Sequence, residues 1–326
     1  MTDAMDATSV PLFEAVGVVD LSARGKLELS GDDAVGLLHK FCTNDVNNLA
    51  VDAGCEAFVL DAKGHVQFYL VVHRRADRLV LECLSGVDER DDAARLLKFL
   101  DRYVIREKVK FVDRTQEWGE LLLAGPGAKE VLATALKIDP PSECLRAMSV
   151  AEFGDAAFVA SGVQSATTNY TLFAPRERID EVVARLTAAG AAAATLGDYE
   201  AARIDAGLPL LGPDIKPKAL AQELDRVEQT INFRKGCYLG QETVARLDAV
   251  GHVNKTLVRL AFAADARPTP EMELRLAEQV VGNITSVAAP QGGAVAALAI
   301  VRTGANQPGK VLEAAAGPAA VLPRLK

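Results

Sequence analysis

"FRKGCYLGQETVAR", residues 233–246, sets a single cysteine, Cys237, between Gly236 and Tyr238, directly behind Arg234 and Lys235. Cysteine is a small hydrophobe that is often buried and chemically idle. A reactive thiol needs access and nearby positive charge, which stabilises thiolate. Lys235 and Arg234 supply the charge, and Gly236 and Gly240 permit a ligand to approach the backbone closely. Core filler and reactive thiol therefore both stand open at this point. Gln241 and Glu242 read as the cap of a helix that begins near Gly240. No histidine lies close in sequence, so only pairing in space with His39 or His252 would give the thiol a base.

The rest of the chain limits what this stretch can do. Its 326 residues suffice for two or three domains, and 49% hydrophobic with 25% charged residues is ordinary for a soluble globular protein. A formal net charge of −8 and 5% aromatic residues give no platform for nucleic acid, and no direct nucleic-acid partner is expected. Residues 232–259 depart from that balance: Arg234, Lys235, Arg246, Lys255 and Arg259 face only Glu242 and Asp248. Such a segment suits a small anionic ligand. The five cysteines form no CxxC pair and the four histidines no HExxH pattern, so neither a disulfide framework nor a metal site is expected. No membrane span or signal peptide is read, which makes the cytoplasm the expected location.

Periodicity predicts an α+β body followed by an all-β C-terminal domain. Ala34, Leu37, Leu38 and Phe41 fall at helical spacing, and residues 56–74 form two strands around the turn Asp61–Gly64. "RLVLECL" is a further strand, and residues 88–105 an amphipathic helix with Ala94, Leu97 and Leu100 or Tyr103 on one face. The strand 120–125 leads through Pro126 into a helix. Strands near 156–160 and 169–173, the helix closed by Gly190 and a helix over 197–206 complete the body. Beyond about residue 250, five strand-like runs separated by Pro, Gly and Asn turns predict a small barrel or sandwich. The division expected is 1–245 for two interleaved subdomains, whose boundary lies near 50–115, and 246–326 for the barrel. "CTNDV" (42–46) reads as a helix end with an Asx turn. "AGPGA" (124–128) is an incomplete dinucleotide pattern, and the P-loop pattern is absent.

Taken together, "FRKGCYLGQETVAR", "LSGDDAVGLLHKFCTNDV", "LDAKGHV", "LLKFLDRYVIREKVKFVD", "RIDAGLPLLGPDI" and "VGNITSV" resemble the YgfZ family of folate-binding proteins, relatives of the glycine-cleavage T-protein. The resemblance spans nearly the whole chain. It implies a T-protein-like ring of three domains, two α+β and one C-terminal β-barrel, around a channel for tetrahydrofolate or a derivative. It also implies a role in assembling or repairing iron–sulfur enzymes, tRNA-modifying ones among them. On that resemblance Cys237 is the reactive residue, and Asn44, Asp45, Tyr170, Arg203, Lys235, Gly236, Tyr238, Gln241 and Arg246 are expected to hold the folate. T-proteins carry an acidic pair after a GG turn; here "KGHVQFYLVV" puts Gln67 and Phe68 in about that place, and neither is a carboxylate base. Of the T-protein "GYTGE" loop only Tyr170 in "SGVQSATTNYTLF" is a plausible remnant. Aminomethyltransferase chemistry is therefore not expected. A folate-dependent one-carbon transferase and a non-catalytic interaction module are the rival readings.

Overall fold

The computed structural model describes residues 10–86, 91–154, 156–290 and 293–325. Its first strand, Gly17–Asp20, bypasses its sequence neighbours and pairs antiparallel with Trp118–Ala124, about a hundred residues later. Asn169–Pro175, Phe158–Ser161 and Ala147–Ser149 extend that sheet on one side, and the short Ala192–Ala193 closes the other. Between the first two partners the chain builds a second, five-stranded antiparallel sheet. Its order is Gly54–Leu60, Val66–Arg74, Arg78–Cys83, Lys26–Ser30 and Lys110–Asp113. The second sheet is thus an insertion within the first.

Helix Ala34–Phe41 buries the predicted face: Ala34, Leu37, Leu38 and Phe41. Helix Asp92–Asp101 corrects the predicted one. Its buried stripe is Ala93, Leu96 and Leu100, with Ala94 exposed and Leu97 half-buried. The sequence offers apolar residues in both registers, and close contact selects between them. A Cβ on Gly25 would lie 2.9 Å from the Ala93 nitrogen, so the helix backbone comes down on the sheet at that point. The predicted start at residue 88 lies outside the described residues, and the helix stops at Asp101 rather than 105.

The C-terminal strands Lys255–Ala263, Glu273–Leu276, Gln279–Val287, Ala294–Arg302, Val311–Ala314 and Gly317–Val321 form a closed barrel. Closure leaves no strand edge to pair with another chain. The last strand has no counterpart among the five runs read from the sequence, because "GPAAV" opens on Gly and Pro and carries one β-branched residue, Val321, at its end.

Two buried charge clusters tie these sheets together. Arg203, at the end of helix Leu196–Asp205, has no exposed surface, and all five of its N–H groups are engaged. It bonds Asp214 at 2.7 Å, the Leu208 carbonyl at 3.3 Å, Ser286 at 2.8 Å and Glu200 through two nitrogens. Asp214 in turn accepts from Ser286 and Thr285, so the pair welds the body to the barrel. Between the two sheets, Arg24 bonds Glu82 and Glu120 at 3.0 Å each, Gln164 at 2.7 Å and the Tyr199 hydroxyl at 2.7 Å. Burial, then the charge of Glu82, push the Glu120 carboxyl up to about 7, while hydrogen bonding from His73 and the charge of Arg24 hold Glu82 low.

Candidate functional site

The motif loop folds against the C-terminal end of helix Ala34–Phe41. Asn232 N–H donates to the Thr43 carbonyl and Leu239 N–H to the Lys40 carbonyl, each at 3.0 Å, so residues 232–239 run beside 40–43. Lys235 turns inward. Its ammonium donates to the carbonyls of His39 at 2.6 Å, Cys42 at 2.6 Å and Asn44 at 2.8 Å. It also lies 4.9 Å from the centre of the Tyr238 ring. Burial pulls its pKa below the usual lysine value. Lys235 is thus held as a structural cation in this structure. All three ammonium donors are spent on backbone carbonyls, and none is left for an incoming carboxylate.

With Lys235 held inside, the chain reverses outward. Gly236 and Cys237 are exposed, and a Cβ at Gly236 would meet nothing within 4 Å. Tyr238 returns to the core at 8% exposure, where burial raises its hydroxyl to about 12. Cys237 is thus the outer point of a loop clamped on both sides. Of the other thiols, Cys42 and Cys83 are buried, Cys55 is half-buried and Cys144 is exposed, and burial pushes all four upward. His39 faces Asp45 at 3.4 Å, and no hydrogen bond joins Cys237 to a histidine among the described residues. Asn44 spans the Glu56 and Gln229 carbonyls, and Asp45 caps Asn48, whose side chain holds its carboxyl low.

Helix Gln241–Val250 follows the loop, starting where the sequence suggested. Gly240 precedes it in the left-handed region, at φ 83, and a Cβ there would lie 2.6 Å from the Asp61 carbonyl. The hairpin turn answers in kind: a Cβ on Gly64 would lie 2.6 Å from that of Thr243, whose hydroxyl donates to the Lys63 carbonyl at 2.9 Å. Motif and turn are thereby locked together. The same turn walls a cleft of about 540 Å³, closed on the opposite side by residues 211–218. Lys63, His65, Arg95, Lys216 and Lys218 line it, with Gln67 and Asp61. Lys218 is a non-glycine residue in the left-handed region, at φ 69, in a loop tied down by Val66 N–H on the Ala219 carbonyl.

No free carboxylate occupies this cleft. The Asp61 carboxylate accepts from the N–H of Lys63 and His65 and pairs with the His65 ring at 3.0 Å, and the hydrogen bonds hold it below its usual range. The Gln67 amide folds back on the carbonyls of its own strand, and Phe68 is buried at 4% exposure. Tyr69 is buried in a triad with Glu56 and Arg226.

Asn44, Asp45, Lys235, Gly236, Cys237, Tyr238 and Gln241 come together around the loop. Arg246 sits exposed further along its helix, Tyr170 lies in the core of the six-stranded sheet, and Arg203 is the weld described above. The sequence reading missed the cleft's cations and the Arg24 cluster. Glu82 and Glu120 within apolar strands were the available signal.

Residues 1–235 match the GCVT N-terminal domain. The chain is similar to the aminomethyltransferase of Listeria monocytogenes, 24% identical over 91% of this chain and 81% of that one. It is 27% identical to the tRNA-modifying protein YgfZ of Colwellia psychrerythraea, over 79% of this chain and 75% of the relative. It is 29% identical to the mitochondrial iron–sulfur cluster assembly factor IBA57 homolog of Mycosarcoma maydis, over 76% and 57%. Among solved structures, the aminomethyltransferase of Bartonella henselae superposes with a TM-score of 0.79 over 96% of this chain and 86% of that one, at 17% identity. The chain therefore belongs to the GCVT family and has its fold, two mixed α/β sheets with a closed six-stranded C-terminal barrel.

Proposed function

We propose that this protein is a folate-binding accessory factor for the assembly or repair of iron–sulfur proteins, with tetrahydrofolate or a derivative in the 540 Å³ cleft and Cys237 as its working thiol. One observation carries the reading: an outward-facing thiol loop is locked, through Gly240 and Thr243, to a cationic cleft without a free carboxylate. The cleft has the charge to receive folate. Lys63 and Lys218 offer ammonium donors for the glutamyl carboxylates, with Lys216, paired with Glu271 at 3.1 Å, beside them, and Gln67 offers an amide edge for the ring. Bound there, folate would supply a one-carbon carrier, and this chain's own residues orient it and keep its acidic end paired. The YgfZ and IBA57 relatives support the iron–sulfur assignment. Iron–sulfur enzymes, including tRNA-modifying ones, are the proposed partners, and the cytoplasm the proposed location. Among the described residues no helix is long and apolar enough to cross a membrane.

The aminomethyltransferase relatives favour a second reading, one-carbon transfer to or from an amine. Against it stand Asp61, committed to His65 and to two N–H groups, and the pair Gln67 and Phe68, an amide and a buried ring about where the acidic pair of a T-protein would be. The test pairs calorimetric titration of tetrahydrofolate with iron–sulfur enzyme activity in cells lacking the protein. Lys218→Glu should weaken binding about tenfold, the loss of one charge-assisted contact. Failure of the wild-type protein to bind any folate overturns the folate assignment, and turnover of methylene-tetrahydrofolate restores the transferase.

A further inference from the structure

An exposed apolar edge adjoins the Cys237 loop. Ile105 is 86% exposed and Tyr103 38% exposed, unusual for large apolar side chains a few residues apart. Two contacts tie this edge to the motif. The Leu239 N–H bonds the Lys40 carbonyl, and the next residue, Phe41, stacks its ring 4.4 Å from that of Tyr103. Phe99 packs edge-on against Phe41 at 6.5 Å, and the Arg102 guanidinium covers Phe99 at 4.8 Å. The rings of the edge are therefore braced against one another, and Ile105 stands beyond them.

Its rim is cationic on a protein whose net charge is −8. Lys40, Lys98, Arg102 and Arg106 are exposed and outnumber the exposed Asp101 and the half-buried Glu107, and none of the four makes an ion pair among the described residues. Lys98 and Arg102 are four residues apart and share a helix face. The nearby Glu107 carboxylate is turned onto the N–H groups of Ile105 and Arg106 at 2.9 and 3.1 Å. A second copy packed through the same surface would bring like charges together, which costs affinity. The complementary occupant is acidic.

We infer that the Phe99–Arg106 edge is a docking surface for a protein partner with an acidic, apolar-centred patch, which it seats beside Cys237. The inference rests on the reading of Cys237 as the working thiol for what docking achieves. The apolar tip would supply the buried centre of the contact and the four cations its steering and register.

The test uses the full chain in cells that lack it. Ile105→Glu and the double variant Arg102→Glu/Arg106→Glu should each lower iron–sulfur enzyme activity about tenfold, as for loss of an interface anchor. Their melting temperature and tetrahydrofolate affinity should match wild type. Wild-type activity in both variants, or a loss of activity that follows lost stability, overturns the surface. A photo-crosslinking residue at position 105 should join one protein through a segment rich in Asp and Glu, and the double variant should abolish the link. Linkage to a second copy of this chain, to nucleic acid, or to nothing overturns the proposal. If Cys237→Ser keeps full activity while Ile105→Glu loses it, docking stands and the thiol reading falls.

Discussion

The Lys235 ammonium lies 2.6 Å from the Cys42 carbonyl oxygen, across nearly two hundred residues of chain. With the His39 and Asn44 carbonyls it completes a three-acceptor socket, and that socket throws Gly236 and Cys237 outward. The lysine beside the thiol thus sets where the thiol stands.

Removing the socket's occupant should cost stability before it costs anything else. Lys235→Met takes the ammonium from one buried and two half-buried carbonyls, of which only that of Asn44 keeps another donor among the described residues, the Cys42 thiol, and should destabilise the fold by about 3 kcal/mol. Chemical denaturation reads this as a lower midpoint with unchanged slope. A variant of wild-type stability with weakened folate binding would instead return Lys235 to the ligand site.

Gly240 makes a second prediction. Gly240→Ala places a Cβ 2.6 Å from the Asp61 carbonyl in a left-handed conformation, and should cost about 2 kcal/mol. Because Asp61 also lines the cleft, tetrahydrofolate affinity should fall together with the melting temperature.

Arg203 tests the weld. Arg203→Ala leaves Asp214 buried without its cation and should destabilise the protein by about 4 kcal/mol, measured by urea unfolding. If Arg203 served a ligand instead, stability would hold and affinity would drop.

The Arg24 cluster predicts a pH dependence. Glu120 is pushed up to about 7 in the folded protein from an ordinary value of 4.5. Between those values the folded chain keeps a proton that the unfolded chain has released, so stability falls as pH rises across the window. Glu120→Gln mimics the protonated side chain and should flatten that slope. Relative to the variant, wild type should lose on the order of 2 kcal/mol between about pH 5 and about pH 7.5. Parallel curves would show that Glu120 ionises normally.

Local elements were legible because their signals are local. The helix Ala34–Phe41, the hairpin about Asp61–Gly64 and the barrel strand Lys255–Ala263 follow from periodicity and turn residues. The insertion of one sheet in the other was not legible, since pairing of Val18 with Leu123 depends on partners a hundred residues apart. The site divides the same way. The exposure of Cys237 accords with its glycine-flanked loop. The burial of Lys235 and Arg203 does not show in their sequence context, because a cation that satisfies distant carbonyls or an aspartate looks, in sequence, like one that awaits an anion.

The most direct test of the account is iron–sulfur enzyme activity in cells that carry Cys237→Ser in place of the wild-type chain. The side chain is exposed, so stability should stay within about 0.5 kcal/mol of wild type. Activity should fall to that of cells lacking the protein, with tetrahydrofolate binding retained. Full activity in that variant would contradict the central claim.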